Sequence, residues 1–210
     1  MVRKEKRGEE PATGGISGGR RATGGAGGGR KRGEGGEETV SGKERNARNA
    51  PERVAILCVG NVLLLDEGAG PRVAAELREN HRLPANVEVL DRGTMGMALL
   101  ADLRRFDVVL LVDAVDSTGH PPGTVLDYLP EDIAPYEAFH GAHDTRFVDV
   151  LAAASLLGYE PEAHCLGVQV QDISPPEYQI GLTPAVEAAV PLLVECVLAF
   201  LSQRGITPLS

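Results

Sequence analysis

Several features that define common protein classes are missing from this sequence of 210 residues. Its three cysteines, Cys58, Cys165 and Cys196, lie far apart and form no CxxC pair, which argues against a disulfide framework or a thiolate zinc site. No apolar run approaches the roughly 18–20 residues of a membrane span, and the basic N-terminus lacks the apolar stretch of a secretory signal. These absences predict a protein of the reducing cytoplasm with no membrane partner.

Sequence signatures of several catalytic classes are absent as well. No predicted strand leads into a GxSxG elbow, and there is no HExxH helix and no GxGxxG after the first apolar run. The loop that follows this run carries Asp66 and Glu67, where a pyrophosphate would need neutral or positive groups. Each cysteine falls within a predicted strand or on the apolar side of a predicted helix, which is typical of a small core residue. If the protein hydrolyses anything, we expect a metal-polarised carbonyl or a metal-activated water.

The charge is divided unequally between two parts of the chain. Residues 1–50 hold 14 of the 26 glycines and carry 12 basic and 7 acidic residues, a net charge of +5. The remaining 160 residues carry −14 and contain no lysine. The first part has too little apolar surface to offset the entropy of ordering its backbone. We therefore predict a disordered extension over 1–50 and one acidic domain over 51–210, which is poorly suited to binding nucleic acid.

Strand and helix patterns alternate along the acidic part. A continuous apolar run at 54–59 is typical of a strand buried on both faces. Further strands are predicted at 87–90, 108–112, 124–129 and 164–170, and helices at 97–106, 147–157 and 184–203, with another helix beginning at Gly70-Pro71. This order predicts an α/β fold of three layers, with helices on both faces of a twisted, mostly parallel five-stranded sheet.

Acidic residues follow three successive predicted strands. Asp66 and Glu67 follow the first strand, Asp91 ends the second and Asp113 ends the third. Because the carboxyl ends of parallel strands meet at one edge of the sheet, these side chains are expected to lie close together. Unpaired carboxylates repel one another, so a positive partner is expected there, either a metal ion or an arginine such as Arg92. Position alone does not choose between Asp66 and Glu67.

A histidine completes this candidate site. His143 lies in an irregular stretch before the helix predicted at 147–157, where the topology can bring it to the same edge. One imidazole and two carboxylates suit nickel, zinc, iron or manganese better than magnesium, which needs no histidine. The alternative interpretation is that His143 merely precedes the helix and contacts water.

The motifs in chain order resemble those of the hydrogenase maturation proteases, endopeptidases that remove a C-terminal extension from the large subunit of [NiFe] hydrogenases. The resemblance extends over about residues 53–204. It rests on GNVLLLDEGAG at 60–70, VEVLDRGTMG at 87–96, DAV at 113–115 with PGT at 122–124, AH at 142–143, LGVQ at 166–169 and IGLTPAV at 180–186.

This resemblance implies a site and a substrate. Glu67, Asp113 and His143 would recognise nickel, and these three residues together with Asp91 would form the catalytic cleft, which Thr94 helps to shape. The nickel is expected in the precursor substrate and is not necessarily bound by the free enzyme. The expected partner is the large-subunit precursor, and the expected state of the protein is monomeric.

Two other functional hypotheses remain open, and three features depart from the family pattern. One alternative is a non-cleaving nickel-insertion sensor or chaperone of the same fold, and another is a peptidase of similar fold such as the spore germination proteases. Cys58 and Arg92 stand where the family usually has glycine. We expect Arg92 to form an ion pair with Asp91 or to alter substrate choice. The extension at 1–50 has no counterpart in the family pattern.

Overall fold

The computed structural model describes residues 3–4, 50–94, 96–132 and 146–209. Its central sheet has five main strands and helices on both faces, which confirms the predicted fold class. The strands are β1 Val54–Cys58, β2 Val87–Asp91, β3 Val108–Val115, β4 Val125–Tyr128 and β5 Glu162–Gln169. The helices are α1 Ala69–Asn80, α2 Leu100–Leu103, α3 Phe147–Leu156, α4 Pro184–Glu187 and α5 Val190–Gln203, with 3₁₀ turns at Leu65–Gly68, Met97–Leu99 and Pro130–Asp132.

The central strands are parallel and completely buried. The main strands lie in the order β4-β5-β3-β1-β2, and only β4 runs antiparallel to its neighbour β5. All five residues of β1 are buried, as a strand covered by helices on both faces requires. Residues alternate between the two faces. Ile56 therefore packs in the core under α1 and α5, whereas Leu57 packs in the core under α2 and α3.

Strand β3 is longer than the sequence predicts, and this changes the position of Asp113. The predicted strand ends just before Asp113, but the observed strand continues to Val115. Asp113 pairs with Gly167 of β5, and Val115 is buried in the core. Asp113 is therefore held in the ladder of backbone hydrogen bonds between β3 and β5 rather than in the loop that follows β3.

The last predicted helix is divided in two. Helices α4 and α5 are separated at Ala188 and Ala189, and Thr183 is the N-cap residue of α4. By length and composition, Pro184–Gln203 could cross a membrane, so our statement that no apolar run approaches this length was wrong. The physical reason is that one face of α5, including Leu193 and Leu201, lies in the protein core.

The N-terminal extension contributes two residues to the sheet. Arg3–Lys4 pairs in parallel with Leu126 and Asp127 at the outer edge of β4, giving a sixth strand. Such pairing uses backbone groups and needs no apolar side chain, so composition could not predict it. Residues 5–49, for which we predict disorder, lie outside the described residues.

Candidate active site

The carboxyl ends of β2, β1 and β3 lie side by side at one edge of the sheet. In the register of these strands, Cys58 of β1 aligns with Asp91 of β2 and with Val112 of β3. Asp113 is the next residue along β3, and the 3₁₀ turn that contains Glu67 packs against this strand. The topology therefore brings the predicted acidic residues to a common edge, where open α/β sheets bind their ligands.

Asp113 is a partly buried carboxyl group with an unusual affinity for its proton. Burial, together with a smaller contribution from the negative charge of Glu67, raises its pKa to about 7. A hydrogen bond of 2.8 Å from the Ala114 N–H to Asp113 Oδ1 acts in the opposite direction. The side chain thus lies in a region of negative potential, which a cation would neutralise.

The backbone around Glu67 is fixed by a close approach to Gly60. Glu67 is 6% exposed, and its carbonyl oxygen accepts a hydrogen bond of 3.1 Å from the Asn61 N–H. A Cβ atom at Gly60 would lie 1.9 Å from this oxygen, and Gly60 has a φ of +140° that side chains disfavour. Glycine at position 60 is therefore required for the turn that carries Glu67.

Asp66 is the neighbour of Glu67 in sequence, but its side chain is fully used in hydrogen bonds that hold the fold. It is completely buried, and its carboxylate accepts four hydrogen bonds from residues far along the chain. Oδ1 accepts one from the Thr183 N–H at 2.6 Å. Oδ2 accepts three, from Thr183 Oγ1 at 2.9 Å, the Gln171 N–H at 2.8 Å and the Asp172 N–H at 3.1 Å. These bonds join the first loop of the site to the loop before α4.

Asp91 is placed differently from Asp113. It is exposed, and its Oδ1 accepts a hydrogen bond of 3.1 Å from the Gly93 N–H. Because Asp91 aligns with Val112, the side chains of Asp91 and Asp113 leave the sheet on opposite faces. The structure thus places Asp91 at the same edge of the sheet without bringing its carboxylate to the Asp113 side. Its catalytic role stays a prediction.

The predicted histidine is not among the described residues. His143, like the whole stretch 133–145, lies outside them. Within the described residues, no three His, Cys, Asp or Glu side chains form a group that could hold a metal ion. Glu67 and Asp113, the other two predicted ligands, are described, and the metal-recognition role of all three residues stays a prediction.

Comparison with known proteins identifies the family. The family model described as hydrogenase maturation protease matches residues 71–200. This chain belongs to the hydrogenase maturation protease family. It is 38% identical over 156 residues to the hydrogenase 2 maturation protease of Escherichia coli K12, covering 73% of this chain and 93% of that protein. It is 41% identical over 145 residues to the hydrogenase expression/formation protein HupD of Rhodobacter capsulatus, covering 67% of each.

Solved structures agree with this assignment. The hydrogenase maturating endopeptidase HybD from E. coli superposes with a TM-score of 0.68 at 36% identity, covering 75% of this chain and 96% of that chain. The [NiFe] hydrogenase maturation protease HybD from Thermococcus kodakarensis superposes with a TM-score of 0.58 at 27% identity, covering 70% and 98%. Both the resemblance read from the motifs and the classification of this chain as an endopeptidase are confirmed.

Arg92 of this maturation protease has a different partner from the one predicted. Its guanidinium group binds the carboxylate of Asp102 in bidentate fashion, with Nε–Oδ2 and Nη2–Oδ1 distances of 2.7 and 2.9 Å. Arg92 lowers the pKa of Asp102, which also accepts a hydrogen bond from Arg105 at 3.4 Å. The prediction of an ion pair with Asp91 was wrong, because Asp102 of helix α2 binds the guanidinium group of Arg92 instead.

The cysteines of the protease are protonated at neutral pH. Burial and the charges of Asp91 and Asp113 raise the pKa of Cys58 to about 12. Burial also raises the pKa of Cys165 and of Cys196. A thiolate nucleophile therefore receives no support, in agreement with the interpretation of these residues as small core side chains.

Sequence reasoning missed the polar contacts that hold the neighbouring loops. Gln169 is buried, and its Oε1 accepts a hydrogen bond from the Thr118 N–H at 3.0 Å, while its Nε2 donates to Asp116 Oδ1 at 3.2 Å. Likewise, no local pattern links Asp66 to Thr183, 117 positions away. The composition of these loops is typical of irregular structure, but it does not indicate which side chains form hydrogen bonds with the loop backbones.

Proposed function

We propose that this protease removes the C-terminal extension of a nickel-loaded [NiFe] hydrogenase large-subunit precursor and recognises the inserted nickel through Glu67, Asp113 and His143. The observation that carries the proposal is the packing of the 3₁₀ turn that contains Glu67 against β3, the strand of Asp113, at the carboxyl edge of the sheet. A divalent cation brought by the substrate would offset the repulsion between these two carboxylates.

The choice of Glu67 over Asp66 is supported by their different surroundings. Asp66 already accepts four hydrogen bonds and is completely buried, so binding a metal would require breaking several of them. Glu67 lies in the same turn, and its charge acts on Asp113. In this proposal the two neighbouring acids divide their roles, with Asp66 holding the loop and Glu67 recognising the metal of the substrate.

The chemistry of cleavage in this proposal relies on the metal of the substrate. Nickel can polarise the scissile carbonyl or lower the pKa of a bound water, and both routes are compatible with a protease lacking a thiolate. Glu67 and Asp113 would hold the nickel centre against the enzyme. Cleavage would then report that nickel has been inserted, because an empty precursor offers these carboxylates no cation.

The test is precursor processing by purified variants. We expect Glu67→Gln, Asp113→Asn and His143→Leu each to lower the cleavage rate about 100-fold or more, since each removes a ligand worth several kcal/mol in the transition state. Glu79→Gln is the matched control, because Glu79 is an exposed acid on α1. This variant should cleave the precursor at the wild-type rate. Processing is measured as the gel mobility shift of a co-expressed large subunit, with and without nickel.

Two outcomes would contradict the proposal in different ways. Wild-type cleavage rates in well-folded Glu67→Gln or Asp113→Asn would refute the metal-recognition site. Stable co-purification of the wild-type protein with the large subunit, with no nickel-dependent mobility shift, would favour the non-cleaving sensor or chaperone. We further propose that the protease acts in the cytoplasm as a monomer. A sedimentation mass of two chains would contradict the monomer, and recovery in membrane fractions would contradict the localisation.

A further inference from the structure

A short extended segment lies directly beside the turn that carries Glu67. Gln179 forms a parallel bridge with Leu64. Its N–H donates to the Leu63 carbonyl, and its carbonyl accepts from the Leu65 N–H, both at 2.9 Å. Leu65 starts the 3₁₀ turn and has a φ of +51°, which costs a leucine about 1–2 kcal/mol. The bridge to Gln179 therefore holds a strained residue two positions before Glu67.

The geometry of this bridge leaves one side of the segment open. Both backbone groups of Gln179 face the loop at 63–65. In an extended chain the backbone groups of successive residues point to alternate sides, so those of Tyr178 and Ile180 point away from the loop. Within the part of the chain that the structure describes, neither residue makes a backbone hydrogen bond. Residues 178–180, which we term the 178–180 edge, thus form an open strand edge.

The side chains at this edge are apolar and unusually exposed. Tyr178 is 80% exposed and Ile180 is 78% exposed, and Val62 and Leu63 on the adjoining loop are 49% and 40% exposed. Contiguous exposed apolar side chains in a domain that carries −14 are typical of an interaction site. Side chains two positions apart on an extended segment share one face, so they can contact alternate residues of an added strand.

We propose that the 178–180 edge binds the C-terminal extension of the precursor as an added β-strand, with Tyr178 and Ile180 packing against apolar side chains of the extension. This proposal rests on the proposed function, since it names how the same substrate docks. An open strand edge selects an extended peptide rather than a folded surface or a helix. Pro175 and Pro176 restrict the backbone before the edge, which reduces the entropy lost on binding.

The position and charge of the edge favour this occupant. The edge is hydrogen-bonded to the loop that leads into the turn of Glu67, so a peptide added to the edge would lie one strand spacing beyond residues 178–180 as seen from that loop. Residues 171–183 contain two acids, Asp172 and Glu177, and no basic residue. An apolar extension with a basic residue complements this segment, and its binding should weaken with added salt.

The side-chain test separates docking from chemistry. We expect Tyr178→Ser and Ile180→Ser each to raise KM for the nickel-loaded precursor about tenfold and to leave kcat unchanged, because only substrate contact is lost. Leu156→Ser and Leu157→Ser are matched controls. Leu156 and Leu157 are also exposed, by 89% and 56%, but they lie at the C-terminal end of α3, before β5 begins beside the first residue of β3. Unchanged KM in both edge variants would overturn the proposal.

The backbone test uses synthetic peptides with the sequence of the precursor's C-terminal extension. Two isomers of this peptide are made, one N-methylated at its odd positions and the other at its even positions. Each isomer competes with the unmodified peptide for binding to the Glu67→Gln variant, which is used because it binds the peptide without cleaving it. Because an added strand uses only alternate N–H groups, one isomer should compete at least tenfold more weakly than the other. Equal competition by both isomers, with cleavage intact in the wild type, refutes the docking mode alone. If one isomer competes more weakly than the other but the wild-type protein does not cleave the precursor, the proposed function alone is refuted.

Discussion

Replacing Asp66 by asparagine tests the division of roles between Asp66 and Glu67. Asparagine has nearly the same shape, but it replaces one acceptor oxygen by a donor NH₂ group and removes the negative charge. The less harmful orientation places the NH₂ group at the Oδ1 position, where it meets only the Thr183 N–H. The oxygen then keeps the three hydrogen bonds now made by Oδ2, without the strength that the charge provides.

The expected cost follows from these four bonds. One orphaned N–H costs roughly 1–3 kcal/mol, and three bonds that lose their charge lose about 1 kcal/mol each. Asp66→Asn should therefore lower the free energy of unfolding by about 4–6 kcal/mol. For a domain of this size, such a loss lowers Tm by roughly 10–20 °C. The corresponding Glu67→Gln substitution should change Tm by less than about 2 °C, because the hydrogen bond from the Asn61 N–H is accepted by the backbone carbonyl of Glu67, which the substitution leaves in place.

The assay is urea denaturation of the two variants and the wild type, followed by circular dichroism, with precursor processing measured in parallel at a temperature at which all three are folded. Loss of stability should accompany Asp66→Asn, and loss of processing should accompany Glu67→Gln. A free energy of unfolding for Asp66→Asn within 1 kcal/mol of the wild type would refute the structural role given to Asp66.

Two further predictions concern the site. Gly60→Ala should disrupt the turn of Glu67 and lower both Tm and processing, since a Cβ atom 1.9 Å from a backbone oxygen forces the loop to move. Gly119→Ala is the control, because a Cβ atom added at Gly119 would meet no atom within 4 Å. Equal losses of Tm and processing in the two variants would contradict this reasoning. The raised pKa of Asp113 means that the native state binds its proton more tightly than the unfolded state. Stability from this group is therefore present at pH 4 and falls as the pH rises toward and through 7, by up to about 4 kcal/mol. Asp113→Asn should match the wild type near pH 4 and exceed it in stability at pH 8, and a difference independent of pH in urea titrations would show that the Asp113 environment is misjudged.

The sequence predicts the fold well because its signals are local. The apolar run of β1 is buried at every position, and alternation of strands with helices was enough to give the layers. The predicted ends of strands were less accurate where pairing with a distant strand outweighed the polarity of the local sequence. Asp113 belongs to β3 because the strand continues opposite β5 as far as Gln169, which no pattern around Asp113 could indicate.

The contents of the site were only partly predictable for the same reason. The placement of acids after strands brought Glu67, Asp91 and Asp113 to one edge, as parallel topology requires. The function of each acid depends on donors that are distant in sequence. Asp66 is bound by Thr183, and Arg92 is bound by Asp102 instead of its neighbour Asp91. Such pairings follow from packing in three dimensions, and family resemblance rather than residue spacing selected Glu67.

The bonds of Asp66 also impose an order of events on synthesis of the protein. The turn that carries Glu67 is completed by donors at positions 171, 172 and 183, more than 100 residues later in the chain. A ribosome that has translated the first strand and all the candidate acids has therefore not yet produced the donors that hold the turn of Glu67. This turn can be held in place only when the loop before α4 has emerged, and its dependence on contacts of long sequence separation should make it one of the last parts to fold. A nascent or truncated chain would thus lack the loop arrangement on which the proposed site depends.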